Sequence, residues 1–120
     1  MSIDKVYRDN IRGRLTELSD LAIQRKLWLN ESNDTGRISS FNELMCSLFD
    51  DFHFDEFVDT YAVKNRFPGN LVTHLRSLRD ALNQYKEKDT DAAIINDPEW
   101  IKITGQAKDV LKLWFTAAQA

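Results

Sequence analysis

The acidic side chains of this sequence are concentrated in one segment, residues 38–63, which contains no lysine or arginine. Six carboxylates give the segment a formal charge of −6: Glu43, Asp50, Asp51, Asp55, Glu56 and Asp59. Because the whole chain has 16 basic and 19 acidic side chains, the remaining residues together carry +3. Carboxylates gathered in this way can bind cations, transfer protons or attract a basic partner.

Phenylalanines are concentrated in the same region, since six of the seven lie between residues 41 and 67. Carboxylates attract a basic partner, and a desolvated aromatic side chain supplies much of the energy of a protein contact. We therefore predict a partner-binding surface with either Phe52 or Phe54 as its aromatic anchor. Its residues are Asp50, Asp51, Phe52, Phe54, Asp55, Glu56 and Asp59. The alternative is that the phenylalanines face the core and the acids face water, as amphipathic helices do by default.

A metal centre and a catalytic cysteine are the other chemistries that this segment offers. His53 stands among carboxylates, but the sequence lacks the Glu-x-x-His pairs of di-iron bundles and the loop spacing of an EF-hand. Cys46, Asp50 and His53 are spaced i, i+4 and i+7, which aligns them on one face of a continuous helix. Such a face offers a thiolate no oxyanion hole. Since no glycine-rich phosphate loop is present either, we expect no enzyme, no metal and no cofactor.

The basic residues outside the acidic segment suggest an alternative function, a regulatory or nucleic-acid-associated helical domain. The candidates lie on the first and fourth predicted helices: Arg8, Arg12, Arg14, Arg25, Lys26, Arg76 and Arg79. A net charge of −3 argues against direct binding to nucleic acid, because such proteins usually carry a clear basic excess. Acidic residues are interleaved with these cations, so we expect the arginines to pair with the acidic segment or to face solvent.

Apolar residues recur at steps of three and four along most of the chain, which is the pattern of amphipathic helices. They predict three long helices at about 3–29, 71–87 and 98–118, and two short ones at about 41–50 and 55–63. Ser40 and Glu43 form a capping box before the first short helix, and Asp97 with Pro98 marks the start of the last helix. We predict a single all-α domain, residues 1–120, in which the long helices form a bundle and the short ones pack across or cap it.

No segment approaches the roughly 20 apolar residues that span a bilayer, and charges interrupt the start of the chain, where a signal peptide would be apolar. The single cysteine, Cys46, cannot form an intrachain disulfide. We expect a cytoplasmic protein without a membrane partner. Its oligomeric state stays open, with Trp28 and Leu29 beside Leu21 as the candidate surface of a homodimer.

The residues Ser-Phe-Asn-Glu-Leu at 40–44 and Leu-Phe-Asp-Asp at 48–51 are broadly similar to those of small helical bacterial proteins of unknown role. Some of these proteins are immunity proteins, which neutralise a toxin by contact. The similarity covers residues 40–51 and implies no particular site residue. The acidic segment leads us to expect a small interaction module that binds a more basic protein. An inhibitor or immunity-type protein is the concrete version.

The last predicted helix places Trp114 on its inner stripe, together with Trp100, Ile103 and Val110. Replacing Trp114 by alanine should lower the free energy of unfolding by ~3–5 kcal/mol, because it leaves a large cavity in the core. Urea denaturation followed by circular dichroism measures the change. A near-zero shift of the midpoint would instead place Trp114 on the solvent face.

Overall fold

The periodic apolar residues do form helices in the computed structural model, which describes residues 3–119 and the side chains of residues 5–117. The α-helices are α1 Ile3–Leu18, α2 Leu21–Leu29, α3 Phe41–Cys46, α4 Phe54–Glu56, α5 Ala62–Lys64, α6 Gly69–Gln84, α7 Asp91–Ile95 and α8 Pro98–Gln119. A π-helical turn, Ser47–Asp51, continues α3, and another, Phe57–Tyr61, joins α4 to α5. No strand occurs in the described residues, so the all-α prediction is confirmed.

The predicted first helix, at about 3–29, is wrong because the chain breaks between Leu18 and Leu21. Asp20 has an extended backbone there, with φ −132°, and it caps α2. Its carboxylate accepts hydrogen bonds from the backbone N–H groups of Ala22 and Ile23, at 2.9 and 3.1 Å. A capping aspartate satisfies backbone donors that lack a partner in the first turn of a helix. The bundle of three long helices is therefore not observed in the predicted form.

A buried glutamine joins both sides of this break to the last helix. Gln24 is fully buried, and its amide nitrogen donates to the carbonyl oxygens of Glu17 and Leu18, at 3.1 and 2.9 Å. These carbonyls belong to the end of α1, where intrahelical donors run out. The amide oxygen of Gln24 accepts a hydrogen bond of 2.8 Å from the indole nitrogen of Trp100 in α8. One side chain in α2 thus fixes the end of α1 against α8.

Glu17 forms a second buried polar centre beside this glutamine. Its side chain is only 3% exposed, and its Oε2 accepts from Trp28 Nε1 at 3.0 Å and from Ser39 Oγ at 2.9 Å. The guanidinium groups of Arg14 and Arg37 lie 4.0 and 3.8 Å from its Oε1. A buried carboxylate is tolerated where hydrogen bonds and opposite charges compensate its lost hydration. Glu17 therefore ties the loop before α3 to α1 and α2.

The hydrophobic core lies between α1, α6 and α8, with the α3–α5 region packed against it. α8 supplies the longest buried stripe, and Trp114 within it is 5% exposed, which confirms its predicted position in the core. The buried stripe of α1 is Ile11, Leu15 and Leu18, and that of α6 is Leu71, Leu75, Leu78 and Leu82. The stripe of α8 is Trp100, Ile103, Ala107, Val110 and Trp114. None of the described helices combines the length and apolar character needed to cross a membrane.

The apolar residues at both ends of α2 lie in this core or pack against it. Trp28 is 8% exposed and packs edge-on against Phe41, with ring centroids 6.3 Å apart. Leu21 and Leu29 are partly buried against the same cluster. The three residues predicted as a homodimer surface therefore do not form an open apolar stripe.

Replacing Gln24 by leucine should lower the free energy of unfolding by about 2–4 kcal/mol. The substitution deprives the Trp100 donor and the Leu18 carbonyl of their hydrogen bond in the protein interior, and leaves the Glu17 carbonyl only the 3.4 Å bond from the Asp20 N–H group. The exposed Gln84→Leu variant is the matched control and should change the stability by less than about 0.5 kcal/mol. Both values come from urea denaturation.

A double-mutant cycle with Trp100→Phe, which removes the indole donor, tests the contact itself. The loss in the double variant should be smaller than the sum of the two single losses, because both remove one hydrogen bond. Strict additivity would contradict the assignment.

Candidate functional site

A break in the helical backbone at Phe52 and His53 divides the acidic segment, close to where the sequence predicts one. The π-helical turn ends at Asp51, and His53 adopts a left-handed conformation with φ 50° before α4 begins at Phe54. A positive φ is uncommon for a residue other than glycine and marks a change of chain direction. The break therefore places Asp50 and Asp51 on a different helical turn from the acids of α4.

All five carboxylates that flank this break are exposed, and we call them the acidic surface: Asp50, Asp51, Asp55, Glu56 and Asp59. Phe52 lies at the break itself and is partly buried against the core, so part of its ring remains open to a partner. These six residues are the part of the predicted binding site that reaches solvent.

Phe54, the other predicted anchor, is fully buried and is therefore removed from the candidate surface. Its ring centroid lies 5.7 Å from that of Phe49 and 6.4 Å from that of Phe57. Phe54 and Phe57 are three residues apart, so the helical turn points both toward the core. For these two rings the alternative interpretation, phenylalanines inside and acids outside, is the correct one.

Arg79 in α6 pairs with two carboxylates of the acidic surface. Its Nη1 lies 2.9 Å from Asp59 and 3.6 Å from Asp55, while its Nε donates to Asp80 at 2.7 Å. The hydrogen bond from Arg79 lowers the pKa of Asp59, and the same contact raises the pKa of the guanidinium. The predicted pairing between arginines and the acidic segment is thus observed for this arginine. The charge of Asp55 and Asp59 is partly neutralised within the chain.

The other three carboxylates of the acidic surface, Asp50, Asp51 and Glu56, form no ion pair with the side chains that the structure describes. Phe52 and His53 separate the first two from Glu56 along the chain. The uncompensated negative charge is therefore concentrated around the break, beside the partly open ring of Phe52.

Tyr7 in α1 holds the break in place, and sequence analysis missed it. Its hydroxyl donates to the carbonyl oxygen of Phe52 at 2.9 Å, and its ring packs edge-on against Phe57 at 5.4 Å. Burial, and secondly the charge of Glu56, raises the pKa of this phenol. Since the bonded residues are 45 positions apart, no local pattern could reveal the contact. Only the residue type gives a signal, because a tyrosine on a buried face needs a polar partner.

The arrangement of Cys46, Asp50 and His53 differs from the single helical face that their spacing predicts. Cys46 is exposed and lies 3.9 Å from the side-chain oxygen of Asn42. The π-helical turn and the positive φ of His53 interrupt the helix between the cysteine and the histidine. Within the described part of the chain, no three His, Cys, Asp or Glu side chains are grouped so as to hold a metal ion.

Most cations considered for nucleic-acid binding have acidic or polar partners within the chain. Arg12 forms an ion pair with Asp9, and Lys26 lies 3.2 Å from Asp34. The remaining contacts join Arg14 to Glu17, Arg25 to Asn96 and Arg79 to three aspartates. Arg8 and Arg76 form no ion pair with a described side chain. The positive charge open to an external phosphate backbone is therefore much smaller than the count of arginines indicates.

Comparison with known proteins gives no matching family model, and no similar curated protein or solved structure.

Replacing Arg79 by methionine should raise the pKa of Asp59 toward the ordinary aspartate value of about 3.9, because it removes the hydrogen bond that lowers it. Carbon-detected NMR titration measures the carboxyl group directly. Arg76 acts on Asp59 only through a weaker Coulomb interaction, so Arg76→Met is the matched control and should raise the pKa less.

The contact between Arg79 and Asp59 determines whether stability rises or falls as the pH is lowered. A carboxylate whose pKa is lowered in the folded state stabilises it above the unfolded pKa, and this contribution is lost as the pH falls through the folded value. Protonation of Asp59 at low pH therefore lowers the free energy of unfolding. Arg79→Met should make this loss of stability on acidification smaller. An unchanged Asp59 titration in this variant would contradict the contact.

Proposed function

We propose that this chain is a small protein-interaction module that binds a more basic protein through its acidic surface. The observation that carries the proposal is a group of three exposed carboxylates that form no ion pair with a described side chain, Asp50, Asp51 and Glu56, on either side of the partly buried Phe52 in the chain. Aromatic side chains with a partly open ring are frequent anchors of protein interfaces.

The charge distribution supports a role in steering the partner. Exposed charges of one sign raise the rate at which an oppositely charged protein meets the surface, and at physiological salt they act over roughly 8 Å. Asp55 and Asp59 contribute less to this field, because Arg79 lies within 3.6 and 2.9 Å of them. Arg79 also fixes Asp55 and Asp59 relative to α6, so this part of the surface is held before a partner arrives.

An inhibitor or immunity-type protein is the concrete form of this proposal. In that role the acidic surface covers a cationic active site, such as that of a nuclease, and Phe52 inserts at its edge. The carboxylates replace the phosphate groups of the substrate as ligands of the partner's basic side chains. Tyr7 supports this role indirectly, because its hydrogen bond to Phe52 holds the backbone at the break.

The test is charge reversal at Asp50, Asp51 and Glu56, which leaves the Arg79 contacts intact. The partner is first isolated from cells of the native host by affinity capture with mass spectrometry, and its affinity is then measured with purified proteins. The triple lysine variant should bind at least about tenfold more weakly, mainly through slower association.

The matched control reverses three exposed acids outside the surface, Glu31, Glu87 and Asp89, and so carries the same net charge. Its affinity should stay within about twofold of the unmodified protein, because exposed charges outside the contact surface contribute little. Equal losses in both triple variants would show that only the net charge matters. An unchanged affinity in the Asp50, Asp51 and Glu56 variant would overturn the proposal.

A further inference from the structure

A groove of about 420 Å³ lies where α1, α6, α8 and the turn before α6 meet. We call it the cationic groove. Four basic side chains line it, Lys5, Arg8, Arg12 and Arg66, and none of the described residues that line it is acidic. Pro68 and Leu71 belong to its apolar lining. A cavity of this size is in the range of ligand-binding clefts.

One wall of the groove is a basic stripe along α1. Lys5, Arg8 and Arg12 are spaced by three and four residues, so they share one helical face over roughly 10 Å. The guanidinium of Arg12 lies 5.4 Å from the ring centroid of Trp114, a cation–π contact that orients it. Asp9 pairs with both Lys5 and Arg12. Among the side chains that the structure describes, Arg8 therefore carries the unpaired charge of this wall.

The opposite wall is a turn that the backbone holds in a fixed shape. Arg66 has φ 57°, an unfavourable conformation for a residue with a side chain. Backbone hydrogen bonds on both sides hold it there, from Arg66 to Val63 at 3.1 Å and from Phe67 to Ala62 at 2.9 Å. Arg66 forms no ion pair with a described side chain. The turn thus fixes the point at which the Arg66 side chain leaves the backbone, beside the groove that Arg8 also lines.

The aromatic rings at the floor are already packed against one another. Trp114 is 5% exposed, and its ring lies 5.4 Å from that of Phe67. Phe67 also packs edge-on against Phe57 at 5.9 Å. A single-stranded nucleic acid needs open ring faces on which its bases can stack, and Trp114 offers none, because it is nearly buried and both Arg12 and Phe67 lie against its ring. The apolar floor instead suits an aliphatic side chain placed between negative charges.

We propose that the cationic groove binds an acidic peptide segment of a protein partner, with carboxylates facing Arg8 and Arg66 and one aliphatic side chain on the floor. This site is separate from the acidic surface and does not depend on its function. Charge complementarity supports the assignment, because the four ionisable side chains among the described residues of the groove are all basic.

The probe is an acetylated and amidated peptide with the sequence Gly-Asp-Glu-Leu-Asp-Glu-Gly, titrated into the full chain and followed by NMR. It should bind at about 50 mM salt and more weakly at about 200 mM, since the contacts are ionic. The reversals Arg8→Glu and Arg66→Glu should each weaken binding by at least about tenfold. Arg76→Glu, an exposed arginine in α6 with the same change of charge, is the matched control and should change it less than about twofold.

A second peptide tests the apolar floor, and milder substitutions guard against variants that do not fold. A peptide with serine in place of leucine should bind more weakly, because it cannot fill the apolar floor. Arg8→Gln and Arg66→Gln replace any reversal that fails to fold by circular dichroism. The proposal is overturned if the acidic peptide does not bind, or if the control reversal weakens it equally.

Tighter binding of a thymidine decamer than of the peptide, lost in the same variants, would overturn the assignment in favour of nucleic acid. Concentration-dependent dimers that Arg8→Glu abolishes in sedimentation would assign the groove to a second copy of the chain. Variants of Asp50, Asp51 and Glu56 should leave peptide binding unchanged, so failure here is distinguishable from failure of the acidic surface.

Discussion

The buried amide of Gln24 connects α1, α2 and α8 through three hydrogen bonds. Its two donated hydrogen bonds satisfy the last carbonyls of α1, and its accepted bond fixes Trp100 of α8. Because hydrophobic contacts are not directional while hydrogen bonds are, this side chain determines how α8 is aligned along α1. That alignment brings Trp114 to Arg12 at the other end of the pair. The geometry of the cationic groove therefore depends on a residue that is not part of it.

Both charged surfaces are built from helices whose stability comes from elsewhere. Exposed ion pairs contribute only about 0–1 kcal/mol, whereas the buried stripes of α1, α6 and α8 supply the main hydrophobic stabilisation. The placement of Asp50, Asp51 and Glu56, or of Arg8 and Arg66, therefore has little influence on whether the chain folds. Arg79 is the intermediate case, since its side chain is 13% exposed and it joins α6 to Asp55 and Asp59.

The sequence predicts the helical class and most helix positions, because periodic apolar residues and capping residues are local signals. It does not predict the break at Asp20, since apolar residues continue at helical spacing on both sides of it. The acids are exposed as expected, but Phe54 is buried because it shares an inward helical face with Phe57. Arg79 and Tyr7 reach the acidic segment from 20 and 45 residues away in sequence. Contacts of this range follow only from the packing of α1 and α6 against residues 47–61.

The hydrogen bond between Gln24 and Trp100 joins residues that are 76 positions apart, and this separation matters during synthesis. At roughly 5–20 residues per second, a ribosome needs about 4–15 s to proceed from the first residue to the second. During that interval the helices already made have exposed the apolar faces that α8 will cover, and Gln24 has no indole partner. Until α8 emerges, the nascent chain therefore exposes apolar surface of the kind that leads to aggregation, and a pause in translation before Pro98 would lengthen that period.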